Sequence, residues 1–254
     1  MIDILGGAFR DILFYGQVHA EDVIEMPGGT GYNVFAGLRE IGIESVFHCA
    51  IGDDWPFENL RHVRGKSGIF VCRNETEILA VYRGVNLDPP VEEIKSKILF
   101  STFECGGSTF EKYARAMKNS GGMVILDPSP VFEWKKEYAD LCDLLIPNEN
   151  EFESISSLEF KKVFLKLGEN GGKYIQDTVE ISKNISKKGK FPLGCGDAFD
   201  VAVIYGLLTG KSPEKTLEMA VDLGQSVSFL RGSSSAVVEA VKTAKKCFFK
   251  TTEK

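Results

Sequence analysis

Polar and apolar residues along the chain follow two periods. Short, wholly apolar runs predict buried strands, and segments with an apolar residue every three or four positions predict helices. After residue 97 the two patterns alternate, with strands at 98–103, 123–126, 144–146 and 163–167 and helices at 110–118, 197–208 and 213–230. Strands joined through helices pair in parallel. The order therefore predicts an α/β fold with a doubly wound, mostly parallel sheet and helices on both faces.

The first part of the chain adds a different pattern. Its α/β-like elements are a strand at 1–7, a helix at 32–41 and a strand at 45–51. The segments 12–26 and 69–83 instead hold short strands around polar turns, which predicts a small separate β-sheet, a lid. No repeat or low-complexity linker divides the chain, so we expect one domain over residues 1–254.

Composition narrows the class of protein. Of 254 residues, 43% are apolar and 26% are charged, as in ordinary globular proteins. The 30 Lys and Arg against 36 Asp and Glu give a net charge of -6, which argues against a protein held on nucleic acid. No apolar run approaches the ~18 residues of a membrane span, and the start of the chain lacks the basic region of a signal peptide. Six cysteines without a CxxC pair indicate reduced thiols, so we expect a cytoplasmic protein.

The first candidate for chemistry is the segment Gly194-Cys195-Gly196-Asp197, directly before a helix that is apolar on every side. Such a helix is buried, but its N-terminus presents unpaired N–H groups and the positive end of the helix dipole. The two glycines let a ligand approach the backbone, which predicts an anion-binding site. Asp197 would take a proton from an attacking hydroxyl there. An aspartate that merely caps the helix is an equally good interpretation of this segment alone.

The second candidate is the glycine pair Gly28-Gly29, with Asn33 on the first turn of the following helix. The pair suits a ligand that needs close backbone approach and an amide group, although a glycine-rich turn is the simpler alternative. The segment has neither the GK[ST] of a P-loop nor the GxGxxG of a dinucleotide site. A hydride-transferring Rossmann enzyme is therefore disfavoured.

The third candidate follows the strand at 144–146. Polar residues at the C-terminal edge of a parallel strand lie where α/β proteins bind ligands. Asn148 and Glu151 would hold a hydrated Mg²⁺, which takes few protein ligands and several waters. An acidic helix N-terminus stabilised by the helix dipole is the alternative.

Taken in order, these segments resemble the ribokinase-like (PfkB) carbohydrate kinase family over nearly the whole chain. The motifs that carry the resemblance are Gly6 with Asp11; Gly28, Gly29 and Asn33 (GGxxxN); Gly84-Val85-Asn86; Asp127-Pro128; Asn148 and Glu151 (NxxE); Lys166-Leu167-Gly168-Glu169-Asn170-Gly171; and Gly194-Cys195-Gly196-Asp197-Ala198-Phe199, similar to GAGDAF. Each motif is weak alone, and their shared order makes the resemblance specific.

The resemblance implies a Rossmann-like kinase that uses ATP and Mg²⁺ to phosphorylate a hydroxyl of a sugar or sugar-like small molecule. Asp197 would be the catalytic base, with the amides of Gly194, Cys195 and Gly196 in the anion hole. The substrate hydroxyls would contact Asp11, Gly28, Gly29 and Asn33. The nucleotide would lie near Asn148, Lys166, Gly168 and Gly171, and Asn148 and Glu151 would organise Mg²⁺ through water.

Three positions depart from the family pattern. Phe191-Pro192-Leu193 stands where many members carry Asp-Thr-Thr, which helps hold a monovalent cation, so we expect little or no potassium activation. Cys195 replaces an alanine; we expect a buried inert thiol, and a reactive thiol at the helix N-terminus is the alternative. Asp200 replaces an apolar residue. It either raises the pKa of Asp197 by like-charge repulsion or is solvent-facing or hydrogen-bonded and leaves that pKa unchanged.

Two other functions stay open, together with one assembly. A nucleoside kinase on the same fold needs an apolar slot for the base, which Phe9, Phe14 and Tyr15 would provide near Asp11. A non-catalytic sugar- or nucleotide-binding homologue is the second alternative, but such a protein has no need of Asp197. Because two short hairpins are marginal alone, we expect a homodimer partner to complete the lid.

Overall fold

The computed structural model describes residues 1–58, 60–131, 134–155, 160 and 162–245. Its strands are β1 (Ile2–Leu5), β2 (Phe9–Gly16), β3 (Ala20–Gly28), β4 (Ser45–His48), β5 (Gly68–Arg73), β6 (Glu77–Tyr82), β7 (Ile98–Ser101), β8 (Met123–Leu126), β9 (Leu144–Leu145), β10 (Val163–Lys166), β11 (Gly172–Gln176) and β12 (Val179–Lys183). Its helices are α1 (Thr30–Ile41), α2 (Gly107–Asn119), α3 (Lys136–Leu141), α4 (Glu149–Ile155), α5 (Cys195–Leu208), α6 (Pro213–Val227) and α7 (Ser234–Ala244). No helix in these ranges is long and apolar enough to cross a membrane.

The main sheet has eight strands in the order β12-β11-β10-β9-β8-β7-β1-β4. All pairs from β10 to β4 are parallel, and helices cover the sheet through two separate apolar cores. The predicted α/β class with a mostly parallel sheet is therefore confirmed. Parallel strands place their carboxyl ends at one edge, and the loops that follow β1, β8, β9 and β10 meet there.

The strands β11 and β12 were not predicted from the sequence. They form an antiparallel hairpin that extends the parallel sheet at its edge. Both strands mix lysine, glutamine and glutamate with apolar residues, and β12 is mostly exposed. An edge hairpin with a solvated face needs few apolar residues, so its hydrophobic signal is weak.

A second sheet, which we call the lid, has the strand order β3-β2-β5-β6. Its strands overlap the segments 12–26 and 69–83 and extend beyond them. The lid buries an apolar face formed by Leu13, Met26 and Cys72, against which Leu193 packs. On the same face Asp11 pairs in register with Met26 of β3 and Phe70 of β5. The lid thus sets one carboxylate in an apolar surface.

The helix α5 lies in the centre of the larger core, and α1, α6 and α7 contact it. It is buried along its length, as its uniformly apolar sequence predicts. The two closing helices predicted at 197–208 and 213–230 are α5 and α6, but a third helix, α7, follows them. The sequence analysis missed α7, although its buried residues Ala236, Val237, Ala240 and Val241 follow a helical spacing.

The helices α1 and α5 approach each other closely. A Cβ added at Gly37 of α1 would lie 2.7 Å from a methyl carbon of Val201 on α5. A second close approach occurs at the start of α1, where a Cβ on Gly31 would lie 2.5 Å from the Cα of Gly6. Gly37 therefore lets α1 pack closely on α5, and Gly31 lets the first turn of α1 pack against the backbone that follows β1.

Candidate active site

The N-terminus of α5 is a turn of accessible backbone. Gly194 has a φ of 80°, the left-handed region that glycine adopts without strain, and the helix begins at Cys195. The amides of Gly196 and Asp197 lie in the first helical turn, which offers no intrahelical acceptor. A Cβ added at Gly196 would meet only the Lys166 side chain, at 3.6 Å, so a ligand can approach this backbone. The turn has the geometry and the dipole of an anion-binding site.

Asp197 stands half-buried at this turn and is held by α1. The Nδ2 of Asn33 donates a hydrogen bond to Oδ2 of Asp197 over 2.6 Å. Burial raises the pKa of Asp197 above its ordinary value, and the Asn33 amide and the Lys166 ammonium partly oppose that rise. A carboxylate that is fixed in position and made more basic by burial is suited to accept a proton.

Lys166 forms a buried ion-pair cluster behind the turn. Its Nζ lies 2.7 Å from Oδ2 of Asp127 and 2.9 Å from Oδ2 of Asp200. Burial alone would lower the pKa of Lys166, but the two carboxylates raise it above its ordinary value, so Lys166 stays a cation. Asp200 is therefore hydrogen-bonded to Lys166, and the Lys166 ammonium lies between two carboxyl groups.

A cavity of about 590 Å³ opens beside the turn. The predicted site residues that line it are Asn148, Glu151, Lys166, Gly168, Gly171, Cys195, Gly196 and Asp197. Its wall also includes apolar side chains of the β12–α5 connection and of α6, among them Ile185 and Val221. The structure thus brings the predicted nucleotide, metal and anion-hole residues to one cavity with Asp197 at its end.

Asn148 and Glu151 bond to each other at the start of α4. The backbone amide of Asn148 donates to Oε2 of Glu151 over 2.8 Å, and the backbone amide of Glu151 donates to Oδ1 of Asn148 over 2.9 Å. The two residues thus form a reciprocal helix cap. Burial and the charge of Asp127 raise the pKa of Glu151 to about 7. The described chain has no group of three His, Cys, Asp or Glu able to hold a metal directly. The pair fits a Mg²⁺ that keeps its waters.

Asp11, Gly28 and Asn33 form the other side of the site. A Cβ on Gly28 would lie 1.9 Å from Oδ2 of Asp11, so only glycine leaves room for this carboxylate. Asp11 is 2% exposed, and within the described residues neither its Oδ1 nor the Oδ1 of Asn33 has a hydrogen-bond partner. Burial raises the pKa of Asp11 to about 8, the Ser233 hydroxyl lowers it, and the charges of Asp197 and Glu104 raise it further. Buried oxygens without donors suit a ligand that carries hydroxyl groups.

Glu104 anchors this side and was not predicted from the sequence. Its carboxylate accepts hydrogen bonds from the amides of Gly7, Thr30 and Gly31 over 2.8, 2.8 and 2.9 Å, and burial raises its pKa to about 7. A Cβ on Gly29, whose φ is 91°, would come within 3.2 Å of Glu104. A polar residue just after β7, at the carboxyl edge of the sheet, is the signal that could have found it.

Residues 95–240, more than half of the chain, match the pfkB family carbohydrate kinases. The chain belongs to this family. The matched region runs from β7 to α7 and includes Lys166, the NxxE pair and the turn before α5.

Individual relatives of this pfkB family chain have low sequence identity to it. The deoxyribokinases of Salmonella typhi and Salmonella typhimurium are each 23% identical over 192 residues, which cover 62% of this chain and 63% of theirs. The ribokinase of Thermotoga maritima has a similar structure, with a TM-score of 0.82 at 23% identity over 97% of this chain and 99% of its own. The Burkholderia thailandensis nucleoside kinase in complex with inosine gives a TM-score of 0.76 at 17% identity, covering 96% of this chain and 97% of its own. At these identities the structures show the shared fold alone.

The structure bears on the reactivity of Cys195 and on which aromatic residues could form a base-binding slot. Burial, followed by the charges of Asp197 and Glu75, raises the pKa of the Cys195 thiol to about 12, which favours the inert thiol. For a base-binding slot, Phe14 is unsuitable, because it points to the opposite face of β2 from Asp11. Phe9 packs against the glycine backbone near Gly29, and Tyr15 packs on the apolar side of the lid.

The substitution Asp11→Asn should increase the free energy of unfolding, because it removes a buried carboxylate without a cation partner and keeps the shape. The pKa of Asp11 rises from 3.8 to about 8 on folding, so the folded state binds more protons between those values and wild-type stability falls as the pH rises. The amount by which the free energy of unfolding of the variant exceeds that of the wild type should therefore grow from about pH 4 to about pH 8, by at most about 1.4 kcal/mol per pH unit. Urea denaturation across this range measures it.

The exposed Asp140 provides the matched control. Asp140→Asn should change the free energy of unfolding little at any of these pH values. An Asp11→Asn advantage that is absent, or that shrinks as the pH rises, would contradict a buried and unpaired Asp11.

Proposed function

We propose that this chain is an ATP- and Mg²⁺-dependent kinase that phosphorylates a hydroxyl of a sugar or sugar-like small molecule, with residues 1–254 acting as one catalytic domain. The observation that carries the proposal is the position of Asp197. Its carboxylate bonds to Asn33 on the side of Asp11 and also lines the cavity that contains Lys166. A base between a hydroxyl-binding carboxylate and an anion-binding turn is the arrangement that phosphoryl transfer requires.

In the proposed reaction Asp11 and Asn33 hold hydroxyl groups of the acceptor, and Asp197 removes the proton of the hydroxyl that attacks. The first-turn amides of α5 stabilise the negative charge that develops on the transferred phosphate. Lys166 adds a fixed positive charge behind that turn. Mg²⁺, when bound near Glu151, neutralises phosphate charge. The chain itself supplies mainly positioning and electrostatic stabilisation.

The nucleotide is assigned to the cavity lined by Gly168, Gly171 and Gly196. Glycine backbone and apolar residues of α6 suit phosphates at one end and a base at the other. Relatives with the same fold support ATP as the donor: an Arabidopsis thaliana ribokinase was solved in complex with ribose and ATP, and a Cryptococcus neoformans ribokinase in complex with ADP.

A nucleoside is the second candidate acceptor. Met26 and Phe70 flank Asp11 on the lid, so a hydroxyl held by Asp11 would lie against an apolar surface. A nucleoside offers both hydroxyls and a flat apolar base, whereas a free sugar offers mainly hydroxyls. The nucleoside kinases among the structural relatives make this acceptor class the natural second choice.

The proposal includes a homodimer formed through the lid and a location in the cytoplasm. The strand β6 is exposed at every residue, and it presents Ile78 and Val81, which are 63% and 55% exposed. An apolar edge of this kind favours a homodimer formed through the lid. The free, buried or half-buried cysteines of the described chain fit a protein of the reducing cytoplasm.

The substitution Asp197→Asn should abolish turnover and keep ligand binding. The amide retains an oxygen for Asn33 but cannot take a proton, so kcat should fall by about 10²–10⁴-fold. The measurement is Mg²⁺-dependent ADP release from ATP across a panel of sugars, sugar acids, polyols and nucleosides. Asp140→Asn serves as the control and should turn over like the wild type.

Turnover confined to one acceptor class and lost in Asp197→Asn would support the kinase and name its substrate group. If the wild type binds ligands, as measured by thermal shift, but turns none of them over, the result would instead favour the non-catalytic binding protein. Equal turnover in wild type and variant would remove Asp197 from the mechanism.

We also expect little or no activation by potassium. Phe191, Pro192 and Leu193 precede the α5 turn and offer no carboxylate or hydroxyl oxygen, and the Leu193 side chain packs against the apolar face of the lid. A KCl titration of the rate, with choline chloride keeping the ionic strength constant, measures this. An increase of several-fold that is specific to potassium would contradict the expectation.

A further inference from the structure

The turn between β5 and β6 has an unusual residue at its tip. Arg73, Asn74, Glu75 and Thr76 form a two-residue hairpin turn, closed by a 3.1 Å bond from the Thr76 amide to the Arg73 carbonyl. Asn74 and Glu75 both have left-handed φ values, 51° and 59°. Turns of this kind favour glycine at the second position, and a glutamate there is strained. Such strain persists where surrounding contacts hold the residue in place.

Those contacts lie far away in the sequence. The Glu75 carboxylate is buried, with 2% of the residue exposed. Its Oε1 accepts one hydrogen bond from the Tyr15 hydroxyl and another, over 2.9 Å, from the amide of Gly232. Gly232 belongs to the loop 231–233, which directly precedes α7. Glu75 thus ties the tip of a lid hairpin to the main body of the protein.

The loop 231–233 contacts the lid at two further points. The Arg231 guanidinium lies 3.7 Å from the centre of the Tyr15 ring and donates a 2.9 Å hydrogen bond to Asp22 of β3. The Ser233 amide approaches the sulfur of Met26 at 3.3 Å. Two strands of the lid and the turn between β5 and β6 are therefore fastened to one short loop, and Glu75 contributes the buried carboxylate among these contacts.

The same loop reaches the acceptor side of the site. The Ser233 hydroxyl is fully buried without a well-formed hydrogen bond among the described residues, and it lies close enough to Asp11 to lower the pKa of that carboxyl. Thr76, next to Glu75, lines the cavity that contains Asp197. A shift of the loop 231–233 would therefore move the Ser233 hydroxyl relative to Asp11 on the acceptor side.

We propose that Glu75 is a positioning residue that latches the lid onto the loop 231–233 and so sets the acceptor site around Asp11. Because Asp11 is 2% exposed, an acceptor reaches it only when the lid lifts, and the bond from Gly232 to Glu75 draws the lid back. Loss of the latch should weaken acceptor binding and leave nucleotide binding largely intact. The role in acceptor binding rests on the proposed kinase function, whereas the latch itself does not.

Three substitutions separate the latch from the turn. Glu75→Gly removes the carboxylate and places the residue best suited to the left-handed conformation in the turn, so the hairpin should still form. Glu75→Gln keeps an oxygen that accepts from Gly232 and Tyr15. Glu77→Ala is the matched control, since Glu77 is an exposed acid on the same hairpin that pairs only locally with Arg73.

Hydrogen exchange of the lid amides tests the latch without any substrate. In Glu75→Gly the amides of β5 and β6 should exchange at least about tenfold faster than in the wild type, because the hydrogen bonds to the buried Glu75 carboxylate are lost. Glu75→Gln and Glu77→Ala should stay within about twofold to threefold of the wild type. Equal exchange in Glu75→Gly and Glu77→Ala would overturn the latch.

Steady-state kinetics with the best acceptor from the panel tests the positioning role. In Glu75→Gly the KM for the acceptor should rise at least about fivefold, while the KM for ATP changes less than about twofold. Faster lid exchange with an unchanged acceptor KM would overturn the positioning role. If the wild type phosphorylates no acceptor, the proposed function fails, and hydrogen exchange still decides whether Glu75 is a latch.

Discussion

The candidate site depends on the close approach of α1 and α5 at their first turns. Gly37 removes a side chain that would otherwise collide with Val201 and hold the two helices apart, and Gly6 and Gly31 let the start of α1 pack against the backbone that follows β1. The approach lets Asn33 bond to Asp197 over 2.6 Å, so that one helix carries the proposed base and the other fixes its orientation. Two helix N-termini then point at the same place, where their dipoles and the first-turn amides of α5 favour negative charge.

The charges around this point are divided between two sides. On the cavity side the Lys166 ammonium pairs with Asp127 and Asp200 and lies next to Gly196. On the other side Asp11 and Glu104 are buried, and burial raises the pKa of both. The first side suits an anionic ligand and the second an uncharged ligand with hydroxyl groups. The buried carboxylates penalise folding, and under the proposed function the hydroxyls of the acceptor offset that penalty.

The sequence predicted those features that depend on local pattern. Alternating strands and helices gave the parallel sheet, and the apolar sequence after Asp197 placed α5 in the core. The helix α7 was missed although its local spacing is helical. Features set by long-range contacts were missed: the edge hairpin β11–β12, and Glu104, which acts through amides from residues 7 to 31. Asp200 shows the same limit, because its partner Lys166 is 34 residues away and only the fold brings them together.

The central claim is that the acceptor hydroxyls replace the missing partners of the buried oxygens beside Asp197. A crystal structure with the best acceptor and a non-hydrolysable ATP analogue tests it most directly. The account predicts one acceptor hydroxyl within about 3 Å of the Asp197 carboxylate, a second on Oδ1 of Asp11, and the phosphates at the first turn of α5. An acceptor bound elsewhere, with Oδ1 of Asp11 still without a partner, would contradict it.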